Sequence, residues 1–295
     1  MTDVAVPDQL RAARDGAVVE RPDLAALTLT GADVLRYLHT VSSQHTADLA
    51  PGDTRAALLL SPKGKIEFVF RLAVLADRVV VACDTEAAEA LAERLARFVF
   101  RYDVQVGAPL PGGLTLLGPA ADQPEPSGPD AVGFRTELGL DVLGPSGPSH
   151  TGTTPRPVVG LDVLEALRIE RGVPRWGREL TDDVIAEEAG LLGSHVHLDK
   201  GCYPGQETVA RVHNLGQVQR RLAGLRFQGR APAPFRADLV TDDGRRAGQV
   251  RSGVIHPELG PIALAYVRRV VADGSLVMAN DQVATVVELP FTASA

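Results

Sequence analysis

The sequence predicts an α+β protein of two or three compact units, the last of them all β. Three observations carry that prediction. The chain has 295 residues, more than one typical domain holds. From residue 217 onward, short apolar segments (217–227, 237–241, 246–254, 261–267, 275–278 and 282–289) alternate with turns such as Asp242-Asp243-Gly244 and Asp273-Gly274, the pattern of a small barrel or sandwich. Before that point strands are mixed with helices. The clearest helix spans 158–171, with Leu161, Leu164, Leu167 and Ile169 on an apolar side and Gly172-Val173-Pro174 as its stop. A unit boundary is expected at 215–230.

Upstream, residues 1–16 are polar and alanine-rich and read as a loose arm with a short helix. Residues 17–30 read as extended structure broken at Arg21-Pro22, because proline has no N–H to give a sheet ladder. Gly31-Ala32-Asp33 opens a helix carrying Val34, Leu35 and Leu38 on one face, and a polar stretch with His39 and His45 follows. Segments 54–60 and 65–75 form a hairpin through Ser61-Pro62-Lys63-Gly64. That turn is no phosphate loop, since Leu59 stands where a glycine is required and Ile66 where Ser or Thr is required. A strand at 78–83, a helix from Thr85 to Phe98 and a short strand at 103–106 come next. The middle of the chain, 107–156, is broken by Gly and Pro. Strands are expected at 114–117, 131–135 and 140–143, and exposed loops at 119–129 and 144–157. Prolines interleave Gly144, Gly147 and Gly152, so these do not make a dinucleotide loop.

Composition narrows the function. The net charge of −7 argues against direct DNA binding through a broad basic face, although Arg220, Arg221 and Arg226 are close in sequence. Cys83 and Cys202 are the only cysteines, too few for a disulfide framework, and a reducing compartment is expected. Cys83 lies in an apolar strand and reads as core. No signal-peptide pattern opens the chain, and no apolar run approaches the ~18–20 residues of a membrane span. A cytoplasmic monomer without a membrane partner is the expectation.

The chemistry concentrates in Lys200-Gly201-Cys202-Tyr203-Pro204-Gly205-Gln206-Glu207. Glycines and a proline force the backbone to turn around Cys202, and helical character resumes at 205–212. Lys200 and a helix N-terminus near a thiol both favour its thiolate, so Cys202 is either a reactive thiol or a buried turn residue. His195, His197 and His213 are the bases or ligands in sequence reach. His195 and His197 would share one face of a strand, but the spacing matches no standard zinc site and no metal is expected. Glu170 ends the 158–171 helix, where a carboxylate opposes the helix dipole unless a ligand uses it, and Trp176 could stack on a flat ring.

The run Lys200-Gly201-Cys202-Tyr203-Pro204-Gly205-Gln206-Glu207-Thr208-Val209-Ala210-Arg211 resembles the YgfZ family of folate-binding proteins and iron–sulfur assembly factors, relatives of the aminomethyltransferase (T-protein) of the glycine cleavage system. The resemblance also covers 29–33, 62–65, 167–174, 187–190 and 216–225. It implies a three-module aminomethyltransferase-like fold around a central cavity, with a C-terminal β-barrel. Residues 1–50 with 110–215 would form the folate-binding core, 51–109 an inserted α+β module and 216–295 the barrel. It implies tetrahydrofolate or a one-carbon derivative as cofactor. Glu170 would be the pterin-side carboxylate, Trp176, Glu188, Tyr203 and Arg211 would be further cofactor contacts, and Cys202 would be the functional thiol, with Lys200 beside it.

Departures from the aminomethyltransferases shape the expected function. An ungapped carry-over puts Cys83 at their strand Asn and Ala90 at their catalytic Asp, which would leave no carboxylate facing the folate. Leu24 and Leu164 stand where some YgfZ members carry tryptophan. The expected function is therefore a folate-dependent accessory protein for assembly or repair of iron–sulfur enzymes, including tRNA-modifying ones, whose partners are client enzymes or assembly proteins. A folate-dependent aminomethyl or one-carbon transferase is the alternative.

Overall fold

The proline at position 22 divides two sheets. In the computed structural model, which describes residues 6–122, 131–144, 156–216 and 218–292, strand β1 (Val18–Glu20) ends before Arg21-Pro22 and β2 (Leu24–Thr30) begins after it. The two strands join different sheets, so the break predicted from the missing N–H is the point where the chain changes layer. Ahead of β1, helix α1 (Val6–Gly16) buries Leu10 and Ala13 against Val19, Leu117, Val163 and Leu167. The short helix expected is there, but it is packed into the core and not part of a loose arm. An alanine at Leu10 would cost about 2–5 kcal/mol.

After β2 come α2 (Val34–Val41), β3 (Thr54–Leu60), β4 (Ile66–Val74), β5 (Val79–Asp84), α3 (Thr85–Ala96), β6 (Gln105–Val106) and β7 (Leu110–Pro111). The first sheet has the order β3-β4-β5-β2-β6, with β7 pairing β2. Alternation along β2 sends Leu27 and Leu29 to a core with Tyr37, Leu38, Phe70 and Leu91, while Leu24 and Ala26 face Val132, Phe134 and Leu143. Both faces are covered along the first four residues of β2, which are all apolar and buried; Thr28 and Thr30 are half-buried. Because β2 pairs with β5 along its length, sheet continuity runs across the boundary expected at residue 50.

The second sheet comprises β1, β8 (Leu114–Leu117), β9 (Val132–Arg135) and β10 (Gly139–Leu143), in the order β1-β8-β10-β9. The loops expected at 119–129 and 144–157 lie largely outside the described residues, as does Gln217, the expected start of the last unit. Helix α4 (Leu161–Arg171) starts later than its apolar spacing suggests, because Val158 is taken into a bridge with Val18. Gly172 ends it at φ 74° and gives its N–H to Ile169 O, a left-handed conformation that favours glycine because a β-carbon crowds it. A short helix α5 (Leu192–His195) and α6 (Gln206–Leu215) complete this part.

The last unit is a closed barrel, and the choice between barrel and sandwich is settled by side-chain size. Strands β11 (Arg220–Phe227), β12 (Asp238–Val240), β13 (Arg246–His256), β14 (Gly260–Arg268), β15 (Leu276–Ala279) and β16 (Gln282–Val287) run in the order β11-β14-β13-β12-β15-β16, and β16 closes on β11. Ala223, Ala247, Ala263, Ala265 and Ala284 supply small interior side chains beside Leu225 and Leu239, small enough for a narrow barrel to close on itself. No helix among the described residues is long and apolar enough to cross a membrane.

Candidate functional site

Where the two sheets and α4 meet, they enclose a cavity of about 160 Å³, and a second of about 380 Å³ adjoins it toward the barrel. Val69, Arg71, Glu137, Val173, Pro174 and Leu180 line both. The first is charged on one side. Arg21 grips Asp23 through two bonds of 2.8 and 2.9 Å and donates to Thr115 Oγ1 at 2.8 Å. Asp141 receives Arg21 at 3.4 Å and Arg71 at 3.3 Å, so one buried carboxylate on β10 ties β4 to the link that follows β1. From α4, Arg168 holds Glu165 bidentately at 2.6 and 2.7 Å and Glu179 at 3.0 Å. Leu24, Leu138, Leu143, Leu161 and Leu164 form the apolar wall.

Asp84, at the end of β5, also lines this cavity. Burial, reinforced by the neighbouring Asp23 carboxylate, pushes its carboxyl up to about 6. Carboxylates therefore do face the cavity, contrary to the expectation drawn from Ala90. That residue sits on the exposed side of α3, and the acidic groups come instead from β5, from the segment after Pro22 and from α4. Nothing in the apolar spacing announced Arg21, Asp23, Arg71 or Asp141. Glu165 and Arg168 did leave a signal, an acid–base pair at i,i+3 on the best helix.

Two of the residues named as cofactor contacts line the cavities. Trp176 lines the first cavity and stacks on Phe68, ring centroids 5.7 Å apart and planes at 14°. Glu188 lines the second, where it pairs with Arg220 at 3.2 Å. Its neighbour Glu187 lines the same cavity and has a buried Oε2 without a hydrogen-bond partner. His195 is buried there too. Burial, with Arg71 adding to it, pushes the imidazole down to about 4, so it is neutral at pH 7.

Glu170 is elsewhere. Its carboxylate accepts from His256 Nε2 at 3.1 Å and from Arg14 at 3.3 Å, and Arg14 also binds Glu258 at 2.8 Å. The cause is helical geometry. At 100° per residue Glu170 lies roughly 140–200° around α4 from Glu165 and Arg168, the residues that face the cavity. Glu170 thus joins α4 to α1 and to barrel strand β13.

The Lys200–Glu207 loop is also away from the cavities, and its residues hold the loop in shape. Burial brings the Lys200 ammonium down to about 8. It donates to His39 O in the last turn of α2, and to Ser42 O at 2.6 Å and Gln44 O at 3.2 Å beyond it, so it anchors backbone and is not free to serve the thiol. Tyr203 is buried in a core with Leu58, Leu60, Ile66 and Val209 and reaches neither cavity. Gly205, at φ 83°, has Ser61 O where a Cβ would come within 2.6 Å, so the loop interlocks with the 61–64 turn only as glycine. Gln206 Nε2 closes back on Lys200 O at 3.2 Å. Arg211 is exposed on α6. Cys202 is a free, exposed thiol.

The histidines do not form the strand-face pair expected. His195 ends α5 and is buried, while His197 is exposed beyond it. His197 instead adjoins His45 (ring centroids 5.4 Å), which packs edge-on to His39 at 4.6 Å. No group of three or more metal-binding side chains is arranged to hold an ion among the described residues.

Fold and site together define an α+β protein built around a cavity of carboxylates and guanidiniums and closed by a β-barrel. Residues 220–292 match the family model of the glycine cleavage T-protein C-terminal barrel domain. The chain is 42% identical over 110 residues to an aminomethyltransferase of Nostoc sp., covering 37% of this chain and 28% of that protein. It is 33% identical over 174 residues to an aminomethyltransferase of Herpetosiphon aurantiacus, covering 54% and 47%. The chain thus spans less than half the length of these curated relatives. The crystal structure of the glycine cleavage system aminomethyltransferase T from Bartonella henselae superposes with a TM-score of 0.83 at 22% identity, over 99% of this chain and 90% of that one, a likeness of fold.

Proposed function

We propose that the protein binds a tetrahydrofolate derivative in its central cavities and serves as an accessory factor for iron–sulfur enzymes through Cys202. The observation that carries the folate reading is the Glu187 carboxylate, which lines the second cavity with a buried, unpartnered Oε2. An amino-pyrimidine edge supplies the N–H donors such an oxygen lacks. Trp176 and the leucine wall suit a flat ring, and Arg71, Arg171 and Arg221 suit the carboxylates of a glutamyl tail. Bound there, folate would supply one-carbon chemistry; the chain's own residues bind and orient it.

Support for the thiol role is the division of labour in the 200–207 loop. Lys200, Tyr203, Gly205 and Gln206 are engaged in packing and hydrogen bonds, and together they present Cys202 to solvent. The test has two parts. Titration with tetrahydrofolate should quench Trp176 emission and give calorimetric binding that Glu187→Gln weakens roughly tenfold; an inert wild type would remove the cofactor. Cys202→Ser should bind folate normally yet fail to restore iron–sulfur enzyme activity in a deletion strain, and full restoration would remove the thiol role.

A one-carbon transferase is the second reading. Asp84, titrating near neutrality inside the cavity, favours it, because a carboxyl of that kind can exchange a proton with a bound amine. Methylenetetrahydrofolate formed from an aminomethylated carrier protein, and lost in Asp84→Asn, would establish this reading over the accessory role.

A further inference from the structure

Three neighbouring barrel strands bring four arginines to one pocket. Arg220 on β11, Arg246 and Arg251 on β13 and Arg268 on β14 line a hollow of about 440 Å³ with Gln219 and Gln249. Asp183 is the one carboxylate in its wall. Arg220 and Arg268 are direct cross-strand partners, an arrangement that repels unless a negative charge lies between. Arg251 is the extra residue of a β-bulge between Val250 and Ser252, and bulges re-aim side chains. It is only 4% exposed, and its Nε has no hydrogen-bond partner.

The local ion pairs leave positive charge over. Asp183 Oδ2 is shared by Arg220 at 3.0 Å and Arg251 at 3.6 Å, and both guanidiniums flank the Tyr266 ring, at 4.7 and 5.5 Å from its centroid. At the edges Glu188 meets Arg220 and Asp238 meets Arg246. Arg268 has no ion-pair partner among the described residues. A buried guanidinium with an unused N–H, lining the same pocket as a second that is unpaired, suits a charged acceptor with several oxygens.

We propose that this barrel pocket is a binding site for a compact multiply charged oxyanion, held by Arg251 and Arg268 with Arg246 at the mouth. The chemistry is shared by two sources, a phosphate group and a short γ-linked glutamate chain of the kind folates carry. The site is distinct from the central cavities and does not depend on the folate reading.

The full chain should be titrated calorimetrically with pyrophosphate and, separately, with tri-γ-glutamate, each at ionic strength held constant with sodium chloride. Saturable binding at one site is expected for at least one probe, and which of them binds tells the source. Arg268→Gln, on an exposed side chain, should weaken it roughly tenfold, and Arg251→Gln at least as much. Circular dichroism and thermal midpoint should stay unchanged in Arg268→Gln. No saturable binding of either probe, or equal affinity in the wild type and Arg268→Gln, would overturn the proposal.

Discussion

Glu170 Oε2 and His256 Nε2 lie 3.1 Å apart, and through this contact the central helix is fastened to the barrel. His256 is buried, so its partner cannot be exchanged for water. The hydrogen bond from His256 is the main reason that the Glu170 carboxyl lies below its ordinary 4.5. A lowered carboxyl stabilises the fold above its unfolded value and loses that contribution as pH falls through the folded one. Glu170→Gln is expected to lose about 1–3 kcal/mol at pH 7 and to converge with the wild type in acid below pH 4.5. Denaturant midpoints across that range measure it. Ligand affinity in the central cavity should not change, and a large loss of folate binding would return Glu170 to the pterin.

Asp84 has the opposite sign. Its carboxyl is raised from 3.8 to about 6, so the native state holds a proton that the unfolded chain has released. Stability then falls as pH rises from 3.8 to about 6. Asp84→Asn removes the titrating group and keeps a residue suited to the start of α3. The variant should gain on the wild type across that interval and keep its advantage at pH 7. Thermal midpoints measured between pH 4 and pH 7 would decide it. Parallel profiles for the two proteins would mean that Asp84 is ionised throughout.

The contrast between these two carboxylates shows which parts of the molecule were legible in the sequence. Apolar periodicity and turn residues located nearly every strand and helix, because burial of one face is a local property of the chain. The site was less legible, because it is assembled from segments far apart. Asp84, Asp23, Arg71 and Asp141 come from four segments and meet only after both sheets form. Glu170 was visible as a carboxylate at a helix end, but which way it points depends on where α1 and β13 pack. Trp176 and Glu188 line the two cavities, Glu188 inside the 187–190 resemblance segment and Trp176 two residues beyond the 167–174 one.

Lys200 offers a test of the loop's architecture. Its ammonium serves three backbone carbonyls, His39 O, Ser42 O and Gln44 O, in a buried position. Lys200→Met would leave those carbonyls without a donor and should cost about 3 kcal/mol or more. Lys200→Arg should not rescue it, because a planar fork cannot direct three donors into so small a space. Hydrogen exchange is the discriminating measurement: the amides of 39–46 and 200–206 should lose protection together in Lys200→Met. Protection unchanged there would mean that the ammonium does not couple the two segments.

The two thiols should separate cleanly in reactivity. Cys202 is exposed, whereas Cys83 is buried in the core beneath α2 and α3. Burial, with Asp84 nearby, pushes the Cys83 thiol up to about 12, so its thiolate is scarce at any working pH. Thiolate fraction and access together set the rate of attack on an aromatic disulfide reagent. In native protein only Cys202 should react. Both should react in denaturant, and native Cys202→Ser should give no signal. Binding of tetrahydrofolate should leave the Cys202 rate unchanged, because the thiol lies outside both central cavities. Protection of Cys202 by folate would contradict that separation, and it would place the thiol in the ligand site.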